Sequence, residues 1–132
     1  MKKIILCAFA LLLAAACNKE DISLKGNAYS ATGEFGTPIY LEFHPSEYRV
    51  FGKVVNRYNG PYTIDGNLIK FGLLATTMMM GIGDSMKDEQ AYFQFLTKVD
   101  RFELNGETLI LKAPDGEFMT FTYDGTTEDY GR

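Results

Sequence analysis

The chain has 132 residues, 46% of them hydrophobic and 14% aromatic, with one histidine, two cysteines, no tryptophan and a formal net charge of −4. That length suggests one domain. The acidic balance argues against a nucleic-acid partner, whose grip depends on Lys and Arg contacts to phosphate, and against a domain held on anionic lipid by charge.

In chain order, residues 1–16 read as a secretory signal peptide. Met1-Lys2-Lys3 is a basic start, an apolar run follows from Ile4, and Ala14-Ala15-Ala16 is a small-residue cleavage site. The 13 residues from Ile4 to Ala16 are too few for a membrane-spanning helix, which takes about 20. Leu13-Ala14-Ala15-Ala16-Cys17 resembles the bacterial lipobox, in which the cysteine becomes the first residue and carries lipid. The resemblance implies a membrane anchor at Cys17, with each buried CH₂ of the lipid contributing about 0.8 kcal/mol. Without Lys2 and Lys3, 11 basic side chains face 17 acidic ones, a formal charge of −6. Cys7 leaves with the signal and Cys17 is used for lipid, so the mature domain has no disulfide.

Residues 17–23 read as the lipidated cysteine and a polar tether. A weak strand is predicted over Asn27–Thr32, and a clearer one over Thr37–Phe43, with Ile39, Leu41 and Phe43 on one face. His44-Pro45-Ser46-Glu47 reads as a turn. Tyr48–Val55 reads as a third strand with Tyr48, Val50, Gly52 and Val54 alternating, and Asn59-Gly60-Pro61 as another turn. Tyr62–Ile64 and Leu68–Phe71 flank Asp65-Gly66-Asn67, a hairpin signal.

Between Thr76 and Val99 lies the one convincing helix. Ser85 with Asp88 three residues on resembles a capping box. Asp84, Asp88 and Glu89 at the start, with Lys98 and Arg101 at the end, suit the helix dipole. Met86, Phe93, Leu96 and Val99 form an apolar stripe that Tyr92 and Phe95 widen. Beyond it, Arg101–Leu104 and Thr108–Lys112 flank Asn105-Gly106, and Phe118–Tyr123 is the last strand. Asp124–Arg132 reads as a polar tail, so the domain spans residues 24–124 with a flexible 125–132. The predicted class is α+β, mainly antiparallel β. About eight strands form a small, strongly curved or barrel-like, lipocalin-like sheet with one packed helix.

Four stretches carry a family resemblance: Phe51–Tyr62, Thr76–Gly81, Glu89–Leu96, and Leu109–Leu111 through Gly116 to Phe121. In order and spacing they resemble the META domain family of HslJ-like heat-shock lipoproteins. The resemblance implies a small antiparallel barrel with a packed helix, and an association with envelope stress and antibiotic tolerance. It carries over structural positions only: Asn56, Gly60, Tyr62, Thr77, Met79, Glu89 and Leu96. Val55 and Gly81 stand where many members have cysteines, which implies that these two positions lie close together.

No enzymatic constellation emerges. His44 reads as an exposed loop histidine, and nothing in the spacing supports a serine triad. Asp88 and Glu89 read as dipole-matching charges rather than an acid/base pair. Gly81-Ile82-Gly83 lacks the rest of a phosphate loop, and no His/Cys cluster suggests zinc. In the Met78-Met79-Met80 run, Met78 and Met80 share a face of an extended segment with Met86 not far away, and could offer thioethers to copper(I), but the run reads better as filler of irregular gaps under the helix. No cofactor is implied. The reading is therefore a non-enzymatic, lipid-anchored envelope protein at the outer membrane, on its periplasmic face or at the cell surface, acting through an unknown protein partner. The alternatives are an inhibitor of a hydrolase such as lysozyme or a protease, and a carrier of a small apolar ligand.

Overall fold

A computed structural model describes residues 24–127. The signal peptide, Cys17 and its tether, and the end of the tail lie outside the described residues. The described chain runs β1 (Asn27–Thr32), β2 (Pro38–Phe43), β3 (Arg49–Lys53), β4 (Arg57–Asp65), β5 (Leu68–Phe71), β6 (Ala75–Thr76), α1 (Ser85–Lys98), β7 (Arg101–Asn105), β8 (Thr108–Lys112) and β9 (Phe118–Thr126).

All pairings are antiparallel, in the order β3-β2-β1-β9-β8-β7-β5-β4-β6. A further pairing of β3 with β4 closes eight strands into a barrel and leaves β6 as an extra strand on β4. Closure removes the sheet edges that an open antiparallel sheet would expose. The thinnest seam is β5–β7, with the single residue pair Leu68↔Arg101, flanked by bonds from Ile69 N to Asp100 O and from Phe102 N to Asn67 O.

Alternation selects the interior. Ile39, Leu41 and Phe43 of β2 are buried, as are Leu109 and Leu111 of β8. Aromatic rings link the walls edge to face: Tyr29 to Phe43 at 6.0 Å and Phe43 to Tyr62 at 5.3 Å. Tyr92 of α1 reaches Tyr58 on β4 at 5.6 Å and Phe121 on β9 at 6.4 Å, so the helix contributes to the same core as the sheet.

Several sequence expectations change. The predicted turn at Asn59-Gly60-Pro61 is the middle of β4, and the chain reverses at residues 54–56 instead. Tyr58, Gly60 and Tyr62 are all buried at period two, and that alternation outweighs the Gly-Pro dipeptide. Pro61 is tolerated because β4 changes partners there. Residues 58 and 59 pair with β6 and residues 62–65 with β5, while the Pro61 carbonyl accepts Gly72 N at 2.8 Å. Strand β3 is shorter than predicted, and Tyr48 lies outside it, 55% exposed, with Lys25 Nζ 3.8 Å from its ring centre. Strand β9 runs on through residues 124–126, where the sequence predicts a polar tail. Thr126 pairs with Asn27, and Thr127 N donates to Gly26 O.

Gly52, read as an ordinary alternating position, is the described glycine where an added Cβ would meet a neighbouring atom most closely. A Cβ there would stand 2.0 Å from the Tyr40 carbonyl oxygen and 2.4 Å from the Tyr58 hydroxyl. That hydroxyl donates to the same Tyr40 carbonyl at 2.7 Å and is hydrogen-bonded to the Tyr92 hydroxyl. Burial, followed by the neighbouring Tyr92, pushes the Tyr58 hydroxyl well above the usual tyrosine range. It therefore stays protonated and serves as a structural donor.

Candidate functional site

Helix α1 closes one end of the barrel, and its side chains hold three hairpin loops there. Asp88 holds the β1–β2 loop, Glu89 the β3–β4 loop and Lys98 the β8–β9 loop. The predicted capping box does not form. The N-cap residue is Asp84, without a side-chain cap bond, and Ser85 Oγ donates to Ile82 O at 2.8 Å. Asp88 faces away from its own helix start and accepts from other elements.

Asp88 and Glu89 are 3% and 4% exposed, so they are buried acceptors rather than solvated dipole partners. The sequence held this signal. They lead the same stripe as Tyr92, Phe95, Leu96 and Val99, at helical spacing. Asp88 accepts from Phe35 N and from Thr37 N, each at 3.1 Å. Gly33 makes room for it, since a Cβ there would lie 2.3 Å from the Asp88 Cγ.

Burial alone would raise the Asp88 carboxyl. The Thr37 hydroxyl and the N–H groups of Phe35, Thr37 and Glu34 outweigh it and hold the carboxyl below its usual value. The ionised form thus stabilises the fold at neutral pH. The contribution is full above the unfolded value of about 3.9 and is lost as pH falls through the lower folded value. Asp88→Asn is expected to lose about 1–2 kcal/mol at neutral pH. Its urea midpoint should then fall less than that of the parent chain as pH drops below about 4. An equal acid dependence in both proteins would refute this role.

Glu89 organises a second network. Its Oε1 accepts Val55 N at 3.0 Å and Asn56 N at 2.7 Å, and its Oε2 accepts Asn56 Nδ2 at 2.8 Å. Asn56, 3% exposed, fills every position of its amide. Nδ2 also donates to Met79 O at 3.1 Å, while Oδ1 accepts Thr77 Oγ1 at 2.9 Å and Met79 N. Thr77 Oγ1 in turn accepts Arg57 N. Asn56, Thr77, Met79 and Glu89, four of the positions taken from the family resemblance, thus form one hydrogen-bonded cluster. Three others lie apart from it. Leu96 and Tyr62 are core side chains, and burial pushes the Tyr62 hydroxyl up to about 12. A Cβ on Gly60 would meet Leu74 Cδ2 at 2.7 Å and Leu73 O at 2.8 Å. Val55 and Gly81 adjoin, since a Cβ on Gly81 would be 2.9 Å from Val55 Cγ2.

The methionine run does not fill gaps under the helix. Met78 and Met80 are 91% and 88% exposed, and Leu73 and Ile82 are 92% and 91% exposed. The reason is the network just described. Backbone bonds to Asn56 pin the segment beside β4 and leave its side chains outward. Phe35, in the β1–β2 loop at the same end, and Phe118, at the start of β9, are also exposed. Two grooves border α1, the first mainly apolar and the second also lined by Glu34, Asp88 and Glu117. One of about 220 Å³ lies between the β5–β6 segment and the helix, and one of about 180 Å³ lies toward the β1–β2 and β8–β9 loops.

His44 organises a loop at the opposite end, with Nδ1 accepting from Ser46 N at 3.1 Å and Glu47 N at 3.0 Å. Among the described residues, no group of three or more His, Cys, Asp or Glu side chains could hold a metal ion. Among the same residues, no helix is long and apolar enough to cross a membrane.

The family model of the META domain matches residues 20–125. A solution NMR structure of a protein from Burkholderia xenovorans is similar, with a TM-score of 0.64 and 23% identity over 76% of this chain and 83% of that one. A second NMR structure matches with a TM-score of 0.59 and 17% identity, covering 75% of this chain and 90% of the other. At these identities the likeness concerns the fold. No curated protein matches the chain.

Proposed function

Because the chain belongs to the META domain family, we propose that it is a non-enzymatic cell-envelope protein, lipid-anchored at the outer membrane through Cys17. In this reading it supports the envelope stress response or antibiotic tolerance by binding another protein. The observation that carries the reading is the polarity of the barrel. Strand β1 starts and β9 ends at the end opposite α1, where Thr127 N bonds Gly26 O and Lys25 Nζ bonds Ser46 O. Leu24, the first described residue, lies at that end, so in this reading the lipid on Cys17 would be joined to the barrel from that side. The most exposed apolar side chains, Leu73, Met78, Met80 and Ile82, lie in the segment that leads into α1, and an anchored molecule would present them away from the lipid.

Cys17→Ser is expected to abolish incorporation of labelled palmitate and to move the protein from the membrane fraction to the soluble fraction. If the variant stays with membranes, the anchoring is wrong. Deletion of the chain should sensitise cells to envelope-active antibiotics, and the parent chain but not Cys17→Ser should restore tolerance. Full rescue by the soluble variant would separate function from anchoring.

A further inference from the structure

We propose that the open edge of β6 and the segment that follows it accept an extended, uncharged segment of another polypeptide as an added strand, beside the groove along α1. The inference rests on the interaction reading above and names the chemistry of the partner.

The argument starts from backbone direction. Thr77 N donates to Arg57 O, and Met79 N to Asn56 Oδ1. Along an extended chain, polar groups alternate in direction. Those of Thr76, Met78 and Met80 therefore point away from β4. Among the described residues, the sheet has no strand on that side of β6. Among the described residues, no backbone hydrogen bond engages Met78 or Met80. A row of free N–H and C=O groups is matched in register by another extended backbone.

The side chains define what that backbone carries. From Phe71 to Gly83 there is no Asp, Glu, Lys or Arg. Natural sheet edges are blunted by charge, by proline or by shortness; β6 is only two residues long, but neither charge nor proline occurs along it or the segment that follows to Gly83. The adjoining groove sets Leu73, Leu74 and Thr76 against Phe93, Leu96 and Thr97. It favours apolar side chains at alternate positions of the guest. The thioethers of Met78 and Met80 adapt to different shapes, which suits a partner defined by extended conformation more than by exact sequence.

A second copy of the chain is a poorer occupant. Antiparallel pairing of this edge with itself about a two-fold axis turns the two barrels end over end. The two sets of chain termini then face opposite ways, against anchoring in one membrane.

The test uses the full chain carrying Cys17→Ser, so that no detergent competes for the groove. The probe is a fluorescein-labelled peptide of alternating valine and threonine with a lysine at each end. Fluorescence anisotropy is expected to show saturable binding, and amide exchange at Thr76 and Met78 should slow on binding. The same peptide with every amide N-methylated should not bind. The double variant Leu73→Lys, Met78→Lys should bind at least about tenfold more weakly. Both positions are over 90% exposed, so the variant should keep the parent melting temperature.

No binding by the parent chain overturns the proposal, as does equal binding of the N-methylated peptide or by the double variant. A dimer in sedimentation that the double variant dissociates would assign the edge to a second copy instead. Cys17-dependent fractionation is independent of all these readouts. Failure of the peptide assay with fractionation intact removes the groove and leaves the envelope reading standing.

Discussion

Glu89→Ala is expected to lower the stability of the fold by about 3–5 kcal/mol, a large part of the 5–15 kcal/mol typical of a domain. The substitution removes one carboxylate but orphans three donors: Val55 N, Asn56 N and Asn56 Nδ2. Asn56 is buried, so water cannot readily replace what is lost. The effect extends to the strand-to-helix segment, because the same Asn56 amide holds Met79 on both its N–H and its carbonyl. Glu89→Gln keeps one acceptor but turns an amide N–H toward Asn56, and is expected to cost about 1–3 kcal/mol.

Asn56→Ala should be comparably destabilising. The double variant Glu89→Ala, Asn56→Ala should cost clearly less than the sum, since residues in one network couple by about 0.5–3 kcal/mol. Chemical denaturation of the four proteins completes the cycle. Strict additivity would show that the two side chains do not act as a unit.

Gly52→Ala is the second large effect, expected at about 3 kcal/mol from overpacking and a broken hydrogen bond. A single methyl group would enter the space between the Tyr40 carbonyl and the Tyr58 ring. The nearest atom belongs to backbone on β2, paired to β3 at Leu41↔Gly52 and to β1 at Ser30↔Tyr40, so it cannot move without disturbing both ladders. The next nearest is the Tyr58 hydroxyl, which bonds that carbonyl and the Tyr92 hydroxyl of α1. Displacing it loosens the helix from the wall it seals. Tyr58→Phe removes only the oxygen. In the double variant Gly52→Ala, Tyr58→Phe, part of the clash should be relieved, and the melting temperature should lie above that of Gly52→Ala alone. If Gly52→Ala melts with the parent chain, the close approach is not a constraint.

Most of the barrel was legible in local pattern. The Ile39-Leu41-Phe43 alternation is one wall. The hairpins at Gly66 and Gly106 turn where glycine supplies positive φ, at 63° and 59°. Such signals are local because a strand's face and a tight turn depend on neighbours in sequence. The misreadings came where a local cue met a distant partner. Asn59-Gly60-Pro61 has turn composition, but strand β4 carries it straight through because pairing with β3, β5 and β6 absorbs the proline. Ser85 and Asp88 have capping spacing, but Asp88 finds better donors 51 and 53 residues away.

The sequence by itself determined the strand alternation, the tight hairpins, the single helix and the membership in a fold family, because period, turn chemistry and motif order are properties of neighbouring residues. It also located the positions that matter, Asn56, Thr77, Met79 and Glu89, without saying why. Only the tertiary structure decided that these four share one buried network, that Asp88 is a loop clamp, and that the methionines face solvent along an open strand edge. The physical reason is that a buried carboxylate and an unpaired edge are defined by what lies across space. In this chain the N–H groups that satisfy Glu89 come from residues 33 and 34 positions earlier.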